Sequence, residues 1–229
     1  MRYTELDLFV VGQPYSGCST SAKIIHNTWK GFRAINMDSV VDELYNEFIM
    51  IKHHQGAMRR LIRRSVILKN SEYLYRSIGI PEFISSQFMW EWQKYVDEPT
   101  TSAYPLKKAI YDKLMEFNPN WRKIFARQQM IENPTGLNVF YNINSLDDLE
   151  LSAKPIIAYV DTKESNRVRL SCISKQGIPL DDFQTKEFKE LNSFCIENAS
   201  IVLYNNNTKA SLERQLEDLR EFFDVKRIN

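Results

Sequence analysis

The chain has 229 residues, 43% of them hydrophobic and 26% charged, and a formal net charge of +1. That length suits one large domain or one domain with an insert, and the composition is that of a globular protein able to bury a sizeable core. Near-neutrality argues against a dominant nucleic-acid-binding field while leaving local basic patches open, and no apolar run approaches the roughly 18–20 residues of a membrane span.

Cys18, Cys172 and Cys195 are too far apart for a disulfide framework or a zinc spacing. The start, MRYTELD, is too polar for a signal peptide. Both features predict a reducing, cytoplasmic setting.

The first informative stretch is Leu6–Ile25, LDLFVVGQPYSGCSTSAKII. Leu6 to Val11 predicts a buried strand, Gly12 to Gly17 a turn of small residues, and Ser19 onward a helix. This is the layout of a P-loop, G-x-x-x-x-G-K-[ST]. Gly12, Gly17 and Ser19 fall on the pattern, Ser16 precedes the second glycine and Thr20 follows the hydroxyl, but the lysine position holds Cys18. Backbone N–H groups at such a turn, with the positive end of a helix, can cradle an anion whatever the side chains are. Ser19 or Thr20 can offer a hydroxyl to Mg²⁺. The missing ammonium removes a charged transition-state contact worth about 3–4 kcal/mol, or roughly two to three orders of magnitude in rate. The bland alternative is a strand-to-helix turn that holds nothing, with Cys18 a small half-buried residue rather than a reactive thiol.

Gly31–Met37 predicts a second strand. Asp38 and Ser39 cap a helix through SVVDELYNEFIMI, with Val40, Val41, Leu44 and Phe48 at helical spacing. Asp38 is either a contact to a sugar or acceptor nucleotide, or simply a helix cap. His53 and His54 are adjacent and make a poor metal pair. A basic helix, AMRRLIRRSVILK, carries Arg59, Arg60, Arg63 and Arg64 on one broad stripe. Arg59 and Arg63 suit an acceptor phosphate, the whole stripe suits a nucleic-acid backbone, and the alternative is a solvated face. A helix rich in aromatic residues follows Pro81, then a loop over 97–105, then helices Lys107–Phe117 and Trp121–Ile131.

Strands return at Leu137–Ile143 and Lys154–Val160, with a short helix SLDDLEL between them. Asn166–Ile173 predicts an extended segment. Thr185–Asn198 predicts a helix, Ser200–Tyr204 a last strand, Asn205–Asn207 a turn, and Thr208–Phe223 a closing amphipathic helix. Strands alternating with helices at both ends predict an α/β fold with a parallel sheet and helices on both faces. The expected organisation is one P-loop kinase-like domain over 1–229, with a helical insertion at 50–133.

Three stretches carry a family resemblance: VVGQPYSGCSTSAKII, NWRKIFARQQM at 120–130, and the tail GIPLDDF with ENASIVLYNNNTKASLERQLEDL. Together they resemble the phage deoxynucleoside monophosphate kinases, and more loosely the nucleoside-monophosphate-kinase group. The resemblance implies ATP and Mg²⁺ as cofactors, a deoxynucleoside monophosphate as acceptor, and a host cytoplasm if the gene is a phage's. It places the phosphates on Gly12, Ser16, Gly17, Cys18, Ser19 and Thr20, the metal on Ser19, and the acceptor near Asp38, Arg59 and Arg63. It also implies acidic and arginine residues where this chain has Asn142 and Asn144. Two charged parts of a transfer site are therefore replaced together. The alternative to an active kinase is an inactive kinase-fold module that binds a protein partner or a second copy of itself.

Overall fold

The computed structural model describes residues 6–52, 69, 72–80, 104–173, 185–206 and 208–223. The basic stripe with Arg59 and Arg63, and the aromatic helix expected after Pro81, lie outside the described residues. The chain forms two compact units. The sheet unit comprises 1–37, 129–174 and 178–229; the helical unit comprises 38–128 with 175–177. The expected insertion, 50–133, falls largely within the second.

The sheet unit is built on five parallel strands in the order β2-β3-β1-β4-β5: β1 Leu6–Gly12, β2 Phe32–Asn36, β3 Leu137–Tyr141, β4 Ile156–Asp161 and β5 Ile201–Tyr204. β1 is central and, Asp7 apart, built of apolar residues up to Gly12, as suits a strand covered on both faces. Phe9 and Val10 are fully buried.

On one face, Leu8, Val10, Val139, Val160 and Leu203 pack with Ile24 and Ile25 of helix α1 (Cys18–Thr28). Leu212 and Leu216 of the last helix, α8 (Lys209–Phe222), close the same layer. On the other face Phe9 stacks on Phe140 with ring centroids 4.8 Å apart. Helix α7 (Lys186–Asn198) covers β1 and β4 and buries Leu191 and Cys195. The expected α/β class, with helices on both faces of a parallel sheet, is what the structure shows.

Register is set partly by polar groups. Asp7 and Asn138 are opposite one another, and Asn138 Nδ2 donates to Asp7 Oδ1 at 2.9 Å. Asn133 Nδ2 donates in turn to Asn138 Oδ1 at 2.8 Å. A one-residue slip of β3 would break this buried chain and reverse its faces. At the open edge, Gln215 covers Tyr204: its Nε2 donates to the Tyr204 carbonyl and its Oε1 accepts the Tyr204 N–H. This satisfies the edge groups of Tyr204, which would otherwise invite pairing.

The short helix α5 (Leu146–Leu149) starts with a capping box formed by Ser145 and Asp148. One expectation is overturned. Residues 166–173, expected to be extended, lie in helix α6 (Glu164–Ile173). Val168, Leu170 and Cys172 alternate with polar residues, which imitates a strand. The Lys163 carbonyl instead accepts from the N–H groups of Asn166 and Arg167 and starts a helix. Val168 is left exposed.

The helical unit contains α2 (Ser39–Lys52), a helical stretch at 72–78, α3 (Tyr104–Phe117) and most of α4 (Trp121–Ile131). Leu44, Leu74, Ile110, Leu114 and Trp121 form its buried side. α3 starts at Tyr104, so the last two residues of the loop expected over 97–105 are helical; residues 97–103 lie outside the described residues. Lys107 Nζ bonds Asp42 at 2.6 Å and lies over the Tyr45 ring.

Candidate phosphate-binding loop

The apolar run of β1 delivers Gly12 to the C-terminal end of the central strand, the place where open parallel sheets present ligand sites. The chain then turns tightly. Ser16 N–H donates to the Gln13 carbonyl at 2.9 Å. Tyr15 has φ 62 and Gly17 has φ 107. A left-handed conformation costs a tyrosine about 1–2 kcal/mol, so the surroundings must impose it. Gly12 is required by space: a Cβ there would sit 2.5 Å from Ser16 Oγ and 2.6 Å from the Val160 carbonyl.

Helix α1 begins at Cys18 with Gly17 as its cap, and no side chain caps it. The first-turn N–H groups of Cys18, Ser19 and Thr20 therefore have no intrahelical acceptor, and the positive end of the helix is concentrated there. No acidic side chain lies in that first turn. The Ser16 carbonyl is turned away, accepting from Thr162 Oγ1 at 2.9 Å and from Asn205 Nδ2 at 2.6 Å.

Cys18 is folded into the loop. Its Sγ is 3.2 Å from Ser16 Oγ, and Ser16 is buried. Burial pushes the thiol up from 9.0 to about 11, against a smaller opposing effect from the Ser16 hydroxyl. At neutral pH the position therefore carries a protonated, uncharged thiol. It supplies neither an ammonium nor a nucleophilic thiolate.

Ser19 faces the end of β3. Its Oγ donates to Asn142 Oδ1 at 3.5 Å, and Asn142 Nδ2 donates to Asn36 Oδ1 at 2.7 Å. Asn142 holds φ 60, a conformation that asparagine and aspartate tolerate best. Mg²⁺ is normally held by one or two carboxylates together with substrate phosphates. Here one hydroxyl and two neutral amides meet, and no group of three or more His, Cys, Asp or Glu suited to a metal exists among the described residues. The donor set does not fit a resident Mg²⁺.

Six of the predicted residues, Gly12, Ser16, Gly17, Cys18, Ser19 and Thr20, thus share one loop and helix start. Thr20 is exposed there. Lys23, a cation further along α1, is exposed. Asp38 belongs to the helical unit, where it precedes α2 and its carboxylate pairs with the buried Arg122. Arg122 also lies over the rings of Tyr111 and Trp121, at 5.8 and 5.7 Å. Sequence reasoning took Asn205 for a turn residue only and did not single out Thr162 or Asn36. No local signal marks these three, because their partners, Ser16 and Asn142, lie far from them in the chain.

No protein-family model matches the sequence, and no curated protein matches it. Among solved structures, the fold is similar to that of TT1252 from Thermus thermophilus. The TM-score is 0.51 at 13% identity, over 96% of this chain and 98% of that chain. Dephospho-CoA kinase from Campylobacter jejuni gives a TM-score of 0.47 at 13% identity, over 96% and 98% of the two chains. At 13% identity the likeness to TT1252 speaks to the fold alone. No helix among the described residues is long and apolar enough to cross a membrane.

Proposed function

We propose that this chain is a nucleotide-kinase-like protein that holds nucleotide phosphates at residues 12–20 without transferring them efficiently. The observation that carries the reading is Cys18. The loop keeps its left-handed Gly17 and its uncapped helix start, yet a half-buried neutral thiol stands where phosphoryl transfer needs a cation. Binding by backbone N–H groups survives that change. Stabilisation of charge on a moving phosphoryl group does not.

The Ser19–Asn142–Asn36 chain supports the same reading, since it offers Mg²⁺ no carboxylate. ATP is the natural ligand class for such a loop, and a deoxynucleoside monophosphate remains the acceptor suggested by the resemblance in the two ends of the chain. An active kinase is the second reading, favoured by the retained Ser19 and Thr20 hydroxyls. The inactive form would serve as a binding or assembly module.

Titration calorimetry with ATP, in EDTA and then in Mg²⁺, tests the proposal, with a coupled turnover assay on the common deoxynucleoside monophosphates. Saturable ATP binding with turnover at least about a hundredfold below ordinary kinase rates is expected. Ordinary turnover would restore the active reading. No heat at millimolar ATP would remove nucleotide binding altogether.

A further inference from the structure

We propose that Thr162 and Asn205 are positioning residues that aim the Gly17 N–H at the bound phosphate. The ligand in this proposal rests on the phosphate-binding reading above; the orientation itself rests on the loop's own geometry. Thr162 Oγ1 and Asn205 Nδ2 both donate to the Ser16 carbonyl, at 2.9 and 2.6 Å. Together they occupy both lone pairs of that oxygen. The peptide joining Ser16 to Gly17 is trans, since no cis bond is present. In a trans peptide the C=O and the next N–H point in opposite directions. Holding the carbonyl toward the ends of β4 and β5 therefore turns the Gly17 N–H the other way. That N–H has no partner among the described residues.

Both donors are fixed. Thr162 is buried and follows directly on the last residue of β4. The Asn205 N–H donates to the Asp161 carbonyl at 2.9 Å, which ties its backbone to the same strand end. Asn205 also packs so closely that a Cβ on Gly17 would collide with its amide. The two residues come from different connections, 43 positions apart in the chain, and converge on one atom. Without them the peptide between residues 16 and 17 is free to flip. A flip would present a carbonyl lone pair where an anion requires a donor. The glycine conformation that the clamp holds, φ 107, is one that glycine enters without a side-chain penalty. The flip is therefore opposed by the clamp rather than by the residue itself.

The test uses the full chain, ¹⁵N-labelled, as wild type, Thr162→Val, Asn205→Ala, the double variant and Thr162→Ser. The three-bond HN–Hα scalar coupling of Gly17, which follows φ and so changes when the preceding peptide flips, is measured without ligand, with Val10 and Val139 as core references. Inorganic pyrophosphate is then titrated in. The proposal expects the Gly17 coupling to change in the double variant while the core couplings stay. It expects pyrophosphate affinity to fall about tenfold for each lost donor, and Thr162→Ser to keep both the coupling and the affinity. An unchanged Gly17 coupling with wild-type affinity in the double variant overturns it, and so does a folded Thr162→Ser that behaves like Thr162→Val. If wild type binds no pyrophosphate, the phosphate-binding reading fails, and the Gly17 coupling alone decides the clamp. If the double variant does not fold, the comparison of Thr162→Val with Thr162→Ser decides it by the same coupling.

Discussion

Replacing Cys18 with lysine restores the one group whose loss defines this loop. The sulfur already points inward, 3.2 Å from Ser16 Oγ. A lysine in its place would have to turn its stem away from Ser16 and Gly12 to bring an ammonium to the phosphates. With ATP bound, one charge-assisted hydrogen bond is worth about 1.5–3 kcal/mol net, or roughly 10- to 150-fold in affinity. In transfer, the restored contact is worth about 3–4 kcal/mol, roughly two to three orders of magnitude in turnover. Without ATP, the same ammonium sits beside the positive end of α1 and should lower the unfolding midpoint. Calorimetry gives the affinity and urea melts with and without ATP give the stability. Cys18→Met, with similar reach and no charge, is the control. The reasoning is refuted if Cys18→Lys binds ATP no more tightly than wild type, or if Cys18→Met gains as much.

Four further outcomes follow from particular contacts. Because burial raises the Cys18 thiol to about 11, its alkylation by iodoacetamide should be slow at pH 7–8 and accelerate only as pH approaches 11. The raised value also means that the native state holds this proton more tightly than the unfolded chain does. Its stabilising contribution is complete below pH 9 and is lost between pH 9 and 11, so Cys18→Ala should flatten the alkaline fall in stability; an identical fall in the variant would contradict this. Asn142→Asp places a carboxylate beside Ser19 Oγ without disturbing the left-handed backbone. Mg²⁺ should then tighten ATP binding about tenfold in the variant and little in wild type, whereas equal metal responses would count against the amide account of the site. Asp38→Asn removes the charge paired with buried Arg122. It should cost about 3 kcal/mol in urea unfolding, and an unchanged midpoint would show that Asp38 is not a structural partner.

What the sequence made legible follows from the range of each interaction. β1, the turn and α1 could be read because a buried apolar run, two glycines and a helix start are local signals. The capped helices α5, α7 and α8 could be read for the same reason, through Ser145, Thr185 and Thr208. α6 was misread because its alternating residues satisfy a strand pattern, while the contacts that decide the matter lie at its first turn. In the site, Gly17, Cys18 and Ser19 could be named from spacing alone. The direction of the Cys18 thiol could not, since it depends on the close approach of Ser16 and Gly12. Asn142 was legible as a departure from a family pattern, but its bond to Asn36 depends on β2 lying beside β3. Thr162 and Asn205 meet Ser16 only because β4 and β5 follow β1 in the sheet order, which the sequence does not print.

The most direct test of the central claim is ³¹P NMR of ATP with the purified wild-type chain and a deoxynucleoside monophosphate, in EDTA and then in Mg²⁺. One spectrum series reports both binding and transfer. Shifts of the β- and γ-phosphate resonances that saturate with protein, each read against the same nucleotide without protein in EDTA or in Mg²⁺, and without appreciable growth of ADP signals, are the predicted result. Unshifted resonances at millimolar ATP, or conversion to ADP and a deoxynucleoside diphosphate at ordinary kinase rates, would contradict a loop that holds phosphates but transfers them poorly.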